Sequence, residues 1–260
     1  MEIEIELNRK IGNRKAQLTL FVIIALLIVG GIILFFIIRN QGTIKVDVNN
    51  PEKYISECIA KSLEANEKIV LENNGYLNKT DNYIIYSNEK VPYLCKSSQF
   101  YLPCINQEPM FLEIMRKQIQ ENVKKDATKC FENLVATLKR KYEIKDGAMT
   151  LVIVIEKGKL KAEIDKKIEI TSDNEKRNFE NFESEINSPI YGLGSLAQTI
   201  VNFESTLCKF NSVNWMANYP DIKISKFMTG EGTRVYTLED RETQKNIGFA
   251  VKTCVMPAGI

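Results

Sequence analysis

Hydrophobic and polar positions divide this chain into one uninterrupted apolar run and a long remainder in which the two alternate. The run covers residues 16–38, between Lys15 and Arg39, and only Gln17 and Thr19 in it carry polar side chains. As a helix rising ~1.5 Å per residue it is about 34 Å long, enough to cross a hydrocarbon core roughly 30 Å thick. In lipid every backbone N–H and C=O needs a partner within the segment, which an open chain provides only as a helix. The pattern therefore predicts a cytoplasmic tail over 1–15, a transmembrane helix over 16–39, a linker over 40–50 and an extracytoplasmic domain over 51–260.

Residues 41–50 are polar, with a brief alternation at Ile44, Val46 and Val48 that fits either a linker or an edge strand. Asn50-Pro51 then reads as a helix start, with Asn as N-cap and Pro in the first turn. Ile55, Cys58, Ile59, Leu63, Ile69 and Val70 fall on one face at helical spacing, and Asn73-Asn74-Gly75 ends the helix. Residues 82–104 read as strands: 83–86, a turn at 87–90, and 91–94 pairing with 100–102. Pro109 opens the longest helix, to about Arg140, with an apolar stripe through Ile119, Val123, Cys130, Phe131 and Leu134 and a break near Asp126.

The second half carries the clearest strand signal. Residues 148–156 (AMTLVIVIE) are continuously apolar and β-branched, which predicts a central strand buried on both faces. Residues 159–171 alternate, and the Asp165-Lys166-Lys167 interruption predicts a bulge or a break between two strands. Ser172 to Glu175 fits a capping box before a short helix through Phe179, Phe182 and Ile186, and places a lobe boundary near 172. A further helix runs from Asn187-Ser188-Pro189 to Cys208, with Gly192-Leu193-Gly194-Ser195 read as a close helix contact rather than a phosphate loop. Strands follow at 222–227, 234–238 and 247–256, with Trp215 and Tyr219 either packing against them or forming an exposed aromatic patch. The fold class expected is an α+β ectodomain, helices on a mainly antiparallel sheet, behind one N-terminal transmembrane helix.

Composition narrows the chemistry. Thirty-five Lys and Arg against 33 Asp and Glu leave a net charge of +2 with the signs interspersed, which gives no basic footprint for nucleic acid. Histidine is absent, which removes the commonest general base and metal ligand. No catalytic, cofactor-binding or metal-ligating set stands out. The carboxylates Glu231, Glu239 and Asp240 sit near turns, and a thiol enzyme would need an exposed, low-pKa cysteine.

The six cysteines, Cys58, Cys95, Cys104, Cys130, Cys208 and Cys254, all follow the apolar run. An even count beyond a membrane segment favours disulfides, although six small apolar core residues is the alternative. Cys58 and Cys130 share stripes on two helices expected to pack. A hairpin would bring Cys95 near Cys104, and Cys254 on the last strand is in reach of Cys208 at a helix end. The sequon at Asn78 is a glycosylation candidate. Together with the basic residues before the span, these features predict an inside N-terminus and an outside domain.

Arg14-Lys15-Ala16-Gln17 ahead of the apolar run resembles the entry to archaeal pilin-type signal segments, which a peptidase cuts before the Gln. That resemblance makes Ala16 and Gln17 a signal-processing site. Such pilins carry Glu at the fifth mature position, where this chain has Phe21. The wider chain resembles a group of uncharacterised single-pass envelope proteins of small-genome archaea, through Tyr54-Ile55-Ser56-Glu57-Cys58, Asn74-Gly75-Tyr76, Val91-Pro92-Tyr93, residues 235–240 and residues 248–252. The group implies a membrane-anchored surface domain and no activity.

The function expected is therefore a cell-surface structural or interaction protein without catalytic activity. Its partners are the lipid bilayer through residues 16–38 and other envelope or surface proteins, self-assembly included, and not nucleic acid. A pilin-like filament subunit with the 16–38 helix in the filament core, and an envelope enzyme using carboxylates or a thiol, are the alternatives.

Overall fold

The structure is a computed structural model that describes residues 22–31, 50–78, 80–99, 101–172 and 175–254. The chain divides into two units, Met1–Lys45 and Val46–Ile260. In the first unit, residues 22–31 form a helix (α1) whose side chains are all exposed, Leu26 and Leu27 the most at 66% and 71%. The rest of the 16–39 span, with Ala16 and Gln17, lies outside the described residues. Among the described residues no helix is long and apolar enough to cross a membrane.

The second unit is an α+β domain whose helices pack against two sheets. Helix α2 (Pro51–Glu72) begins where expected: the Asn50 side chain accepts from the Lys53 backbone N–H at 3.0 Å. Helix α3 (Phe111–Leu138) runs unbroken past Asp126. That carboxylate is not a breaker because it accepts from Ser62 Oγ of α2 at 2.9 Å, joining the two helices. Gly75 ends α2 at φ +99°, and the Phe111 ring packs where a β-carbon would stand, so both conformation and contact demand glycine. Helix α4 (Ile190–Leu207) follows Pro189. A β-carbon on its Gly194 would meet Leu112 Cδ2 at 2.5 Å and Met115 Cε at 2.9 Å, the close helix contact expected there.

One sheet holds β4 (Glu143–Glu156), β5 (Lys159–Ser172), β6 (Glu175–Phe179) and β7 (Phe182–Asn187), with β5 in the centre. The apolar run 148–156 is thus an edge strand and not a central one. Leu151 and Ile153 face the helices, whereas Val152 is 49% exposed. Strand β5 continues through Asp165-Lys166-Lys167, and the irregularity sits opposite, in β4, between Asp146 and Met149. Lys166 reaches into it and donates to the Gly147 carbonyl at 2.5 Å. The short helix expected over 175–186 is instead two strands, both antiparallel to β5. Ser172 pairs with Glu175 across a hairpin, and Ser184, buried, donates to the Ser56 carbonyl of α2 at 2.8 Å.

The other sheet follows the order β1 (Tyr83–Tyr86), β2 (Glu89–Lys96), β10 (Asn246–Lys252), β9 (Thr233–Asp240), β8 (Ile222–Met228), with β3 (Ile105–Asn106) also on β2. It is mixed, because β10 runs parallel to β2 while the other pairs are antiparallel. The expected pairing of 91–94 with 100–102 is not seen at Tyr101 and Leu102, and residue 100 lies outside the described residues. Ser87 and Asn88, at φ 49° and 66°, make a tight turn that pairs β2 with β1, and β2 meets β3 instead. Tyr86 of β1 touches Phe227 of β8, ring centroids 5.0 Å apart, and Tyr86, with Ile84 and Tyr93, covers Val91, Val235 and Ala250. Trp215 lies on a short helix, α5 (Ser212–Asn218), and stacks on Tyr219 at 4.6 Å.

All six cysteines are paired as Cys58–Cys130, Cys95–Cys104 and Cys208–Cys254, with Cα atoms 6.2, 5.4 and 5.6 Å apart. The first joins α2 to α3, the second closes β2 onto the loop before β3, and the third ties the end of α4 to the chain after β10.

Candidate functional site

Among the described residues a cavity of about 920 Å³ forms a cleft between α2, the end of β7 and the turns at the near end of the mixed sheet. Helix α2 presents Ala60, Glu64, Glu67, Lys68, Leu71 and Glu72 to it, positions that recur at helical spacing on one face. The opposite wall comes from Glu185 to Asn187 of β7, Glu89 at the β1–β2 turn, and Lys245 and Asn246 at the β9–β10 turn.

Local hydrogen bonds fix these walls. Asp240 Oδ1 accepts from the Thr243 N–H and hydroxyl at 2.8 and 2.7 Å, and the Asp240 N–H donates to the Lys245 carbonyl at 2.9 Å, so the turn carries Lys245 inward. Asn74, at φ 58° just past α2, accepts from the Gly248 N–H at 2.6 Å and donates to the Lys90 carbonyl at 3.3 Å. One amide thereby ties the end of α2 to two strands.

Glu67 is the deepest polar group of the cleft, 2% exposed between Leu63 and Leu71. Its Oε2 accepts from Lys245 Nζ at 2.6 Å, while Oε1 is buried with no hydrogen-bond partner. Of the other carboxylates, Glu72 pairs with Lys68 at 3.8 Å and Glu185 with Lys159 at 2.7 Å. Glu64 and Glu89 have no ion-pair partner among the described residues. Five carboxylates therefore line the cleft against the amines of Lys68 and Lys245.

A second buried carboxylate, Glu204 of α4, is fully enclosed. It accepts from Tyr236 Oη and from the Arg234 guanidinium, and Arg234 also donates to the Cys208 carbonyl at 2.7 Å. Burial first, then the hydrogen bond to Glu204, pushes the Tyr236 hydroxyl well above its ordinary range. Glu204 and Tyr236 are fully buried, so their hydrogen bond is an internal brace between α4 and β9.

The residues singled out from sequence fall apart in space. Asn78 is exposed on the loop after α2, next to Thr80, whose hydroxyl accepts from the Asn82 N–H at 3.3 Å. Glu239 is held by Lys223 at 3.2 Å, Asp240 is spent on its own turn, and Glu231 lies on the β8–β9 turn. No three His, Cys, Asp or Glu side chains among the described residues are grouped to hold a metal ion. Sequence reasoning missed Glu67 and Glu204, and one signal pointed at both: an acid on the apolar stripe of a helix, four residues after Leu63 and Ile200 respectively. The chain matches no family model, no curated protein and no solved structure.

Proposed function

We propose that this chain is a membrane-anchored cell-surface protein of structural or interaction type, with residues 16–39 as its span, 1–15 inside the cell and 51–260 displayed outside. The observation that carries the reading is the set of three disulfides within the displayed domain, since such bonds persist in oxidising compartments. Seven large apolar side chains of α1, Val22 to Val29, are exposed at 44–71%, a surface that suits lipid rather than water. The bilayer is then one partner, and other envelope or surface proteins, a second copy among them, are the class that a rigid stapled domain serves. With every cysteine committed to a disulfide, the domain is better suited to holding a shape than to thiol chemistry. Alkaline carbonate extraction of membranes tests the anchor. The full-length chain stays with the pellet and a variant lacking 16–38 leaves it; release of the full-length chain would refute the reading.

A further inference from the structure

A buried carboxylate with half of its acceptor capacity unused is an unusual thing for a fold to retain. Withdrawing a carboxylate from water costs several kcal/mol unless opposite charge and hydrogen bonds replace its hydration. Lys245 supplies this at Oε2 of Glu67, and nothing supplies it at Oε1. Glu67 lines the cleft, and its Oε1, shielded as the cleft stands, is an acceptor that an N–H donor entering in place of the Lys245 ammonium would satisfy.

The surroundings narrow the donor. Glu64 and Glu89 add negative charge without ion-pair partners among the described residues, and Glu185 shares its charge with one exposed lysine. Glu64, Glu67 and Glu72 stand on the α2 wall, and Glu89 and Glu185 on the opposite one, which suits separate N–H donors along an extended ligand better than a single ion. Ala60, Leu71 and Ile186 give the same walls apolar stretches on which methylene groups lie without loss.

Lys245 shows the recognition already at work. Its ammonium, on a four-carbon arm from a turn 178 residues away in sequence, sits on Glu67 at 2.6 Å with its side chain 38% exposed. It is an internal copy of an alkylammonium ligand. Since Oε1 is shielded from solvent as the cleft stands, a ligand reaches Glu67 as this arm gives way.

We propose that the cleft binds a linear polyamine, with one ammonium displacing Lys245 and donating to both oxygens of Glu67, methylenes over Leu71 and Ile186, and a second ammonium held by Glu64 or Glu89. The inference does not depend on where in the cell the domain resides.

The test is calorimetric titration of the full-length protein in mild detergent with spermidine, at low ionic strength where charge pairing is least screened. Each variant is first compared with wild type by circular dichroism. Glu67→Gln weakens binding by about tenfold or more, and Glu89→Gln by about two- to fivefold. Lys245→Met strengthens it by about fivefold, because the internal competitor is gone; a merely structural Lys245 gives unchanged or weaker binding. Glu175→Gln on β6, remote from the cleft, has no effect. If Glu67→Gln does not fold, Glu89→Gln and Lys245→Met decide the matter. An isotherm indifferent to these variants, or matched by magnesium chloride at equal ionic strength, reduces the effect to diffuse charge and overturns the proposal. A capped Lys-Gly-Lys peptide that binds where spermidine does not overturns it as well, by moving the ligand to a partner's lysines.

Discussion

Tyr236 donates its hydroxyl to Glu204, and that bond, with Arg234 on the same carboxylate, is the polar joint between helix α4 and strand β9. Glu204 is inaccessible and Arg234 only 18% exposed, so the Glu204 charge cannot be rehydrated without opening the core. Removing one partner leaves the other uncompensated, at a cost on the order of 3 kcal/mol. Glu204→Gln is therefore expected to lower the urea midpoint sharply, and Glu204→Leu with Arg234→Met to lose less than the sum of the single changes. Additive losses would show that the two side chains do not act as a pair.

The tyrosine hydroxyls give the domain a pH limit. Burial and then Glu108 push Tyr76 up, and burial and then Glu204 push Tyr236 up, both above the ordinary value near 10. In the unfolded chain both ionise near pH 10, while in the folded one they hold their protons to higher pH. The folded state thus binds more protons above about pH 10, and stability, fully present below that, falls as pH rises. Urea unfolding at about pH 9 and about pH 11 should show the loss, and Tyr236→Phe should flatten it. A stability independent of pH across that window would contradict the burial of these hydroxyls.

The three disulfides should differ in weight. By chain entropy, cross-links that close 72 and 46 residues restrict the unfolded chain by about 4 kcal/mol each, and one that closes 9 by about 2.5 kcal/mol. Replacing each pair by serines, two at a time, is expected to leave the Cys95/Cys104 variant nearest to wild type by urea midpoint. A larger loss there than at Cys58/Cys130 would contradict the ranking.

The disulfide pairing was legible because each cysteine sits on a feature that the pattern exposes. Cys58 and Cys130 lie on apolar stripes, Cys95 and Cys104 flank one loop, and Cys208 and Cys254 end elements. Helices α2, α3 and α4 were legible for the same reason. Strand β4 was misread because a β-branched run looks the same on an edge as in a centre; only the register with β5, and one open face, reveals Val152 as exposed. Residues 179, 182 and 186 mimic a helical stripe, but Phe182, Ser184 and Ile186 also alternate, and pairing with β5 decided for the strand. The cleft could not be read at all, because Glu67 and Lys245 come from opposite ends of the domain's sequence and only the fold brings them to one ion pair.

The measurement that bears most directly on the account is labelling of whole cells with a membrane-impermeant amine reagent. Exposed lysines such as Lys124, Lys125 and Lys139 report on the domain. Their modification in intact cells is the predicted result. Modification of the same lysines only after lysis would place the domain inside and contradict the account.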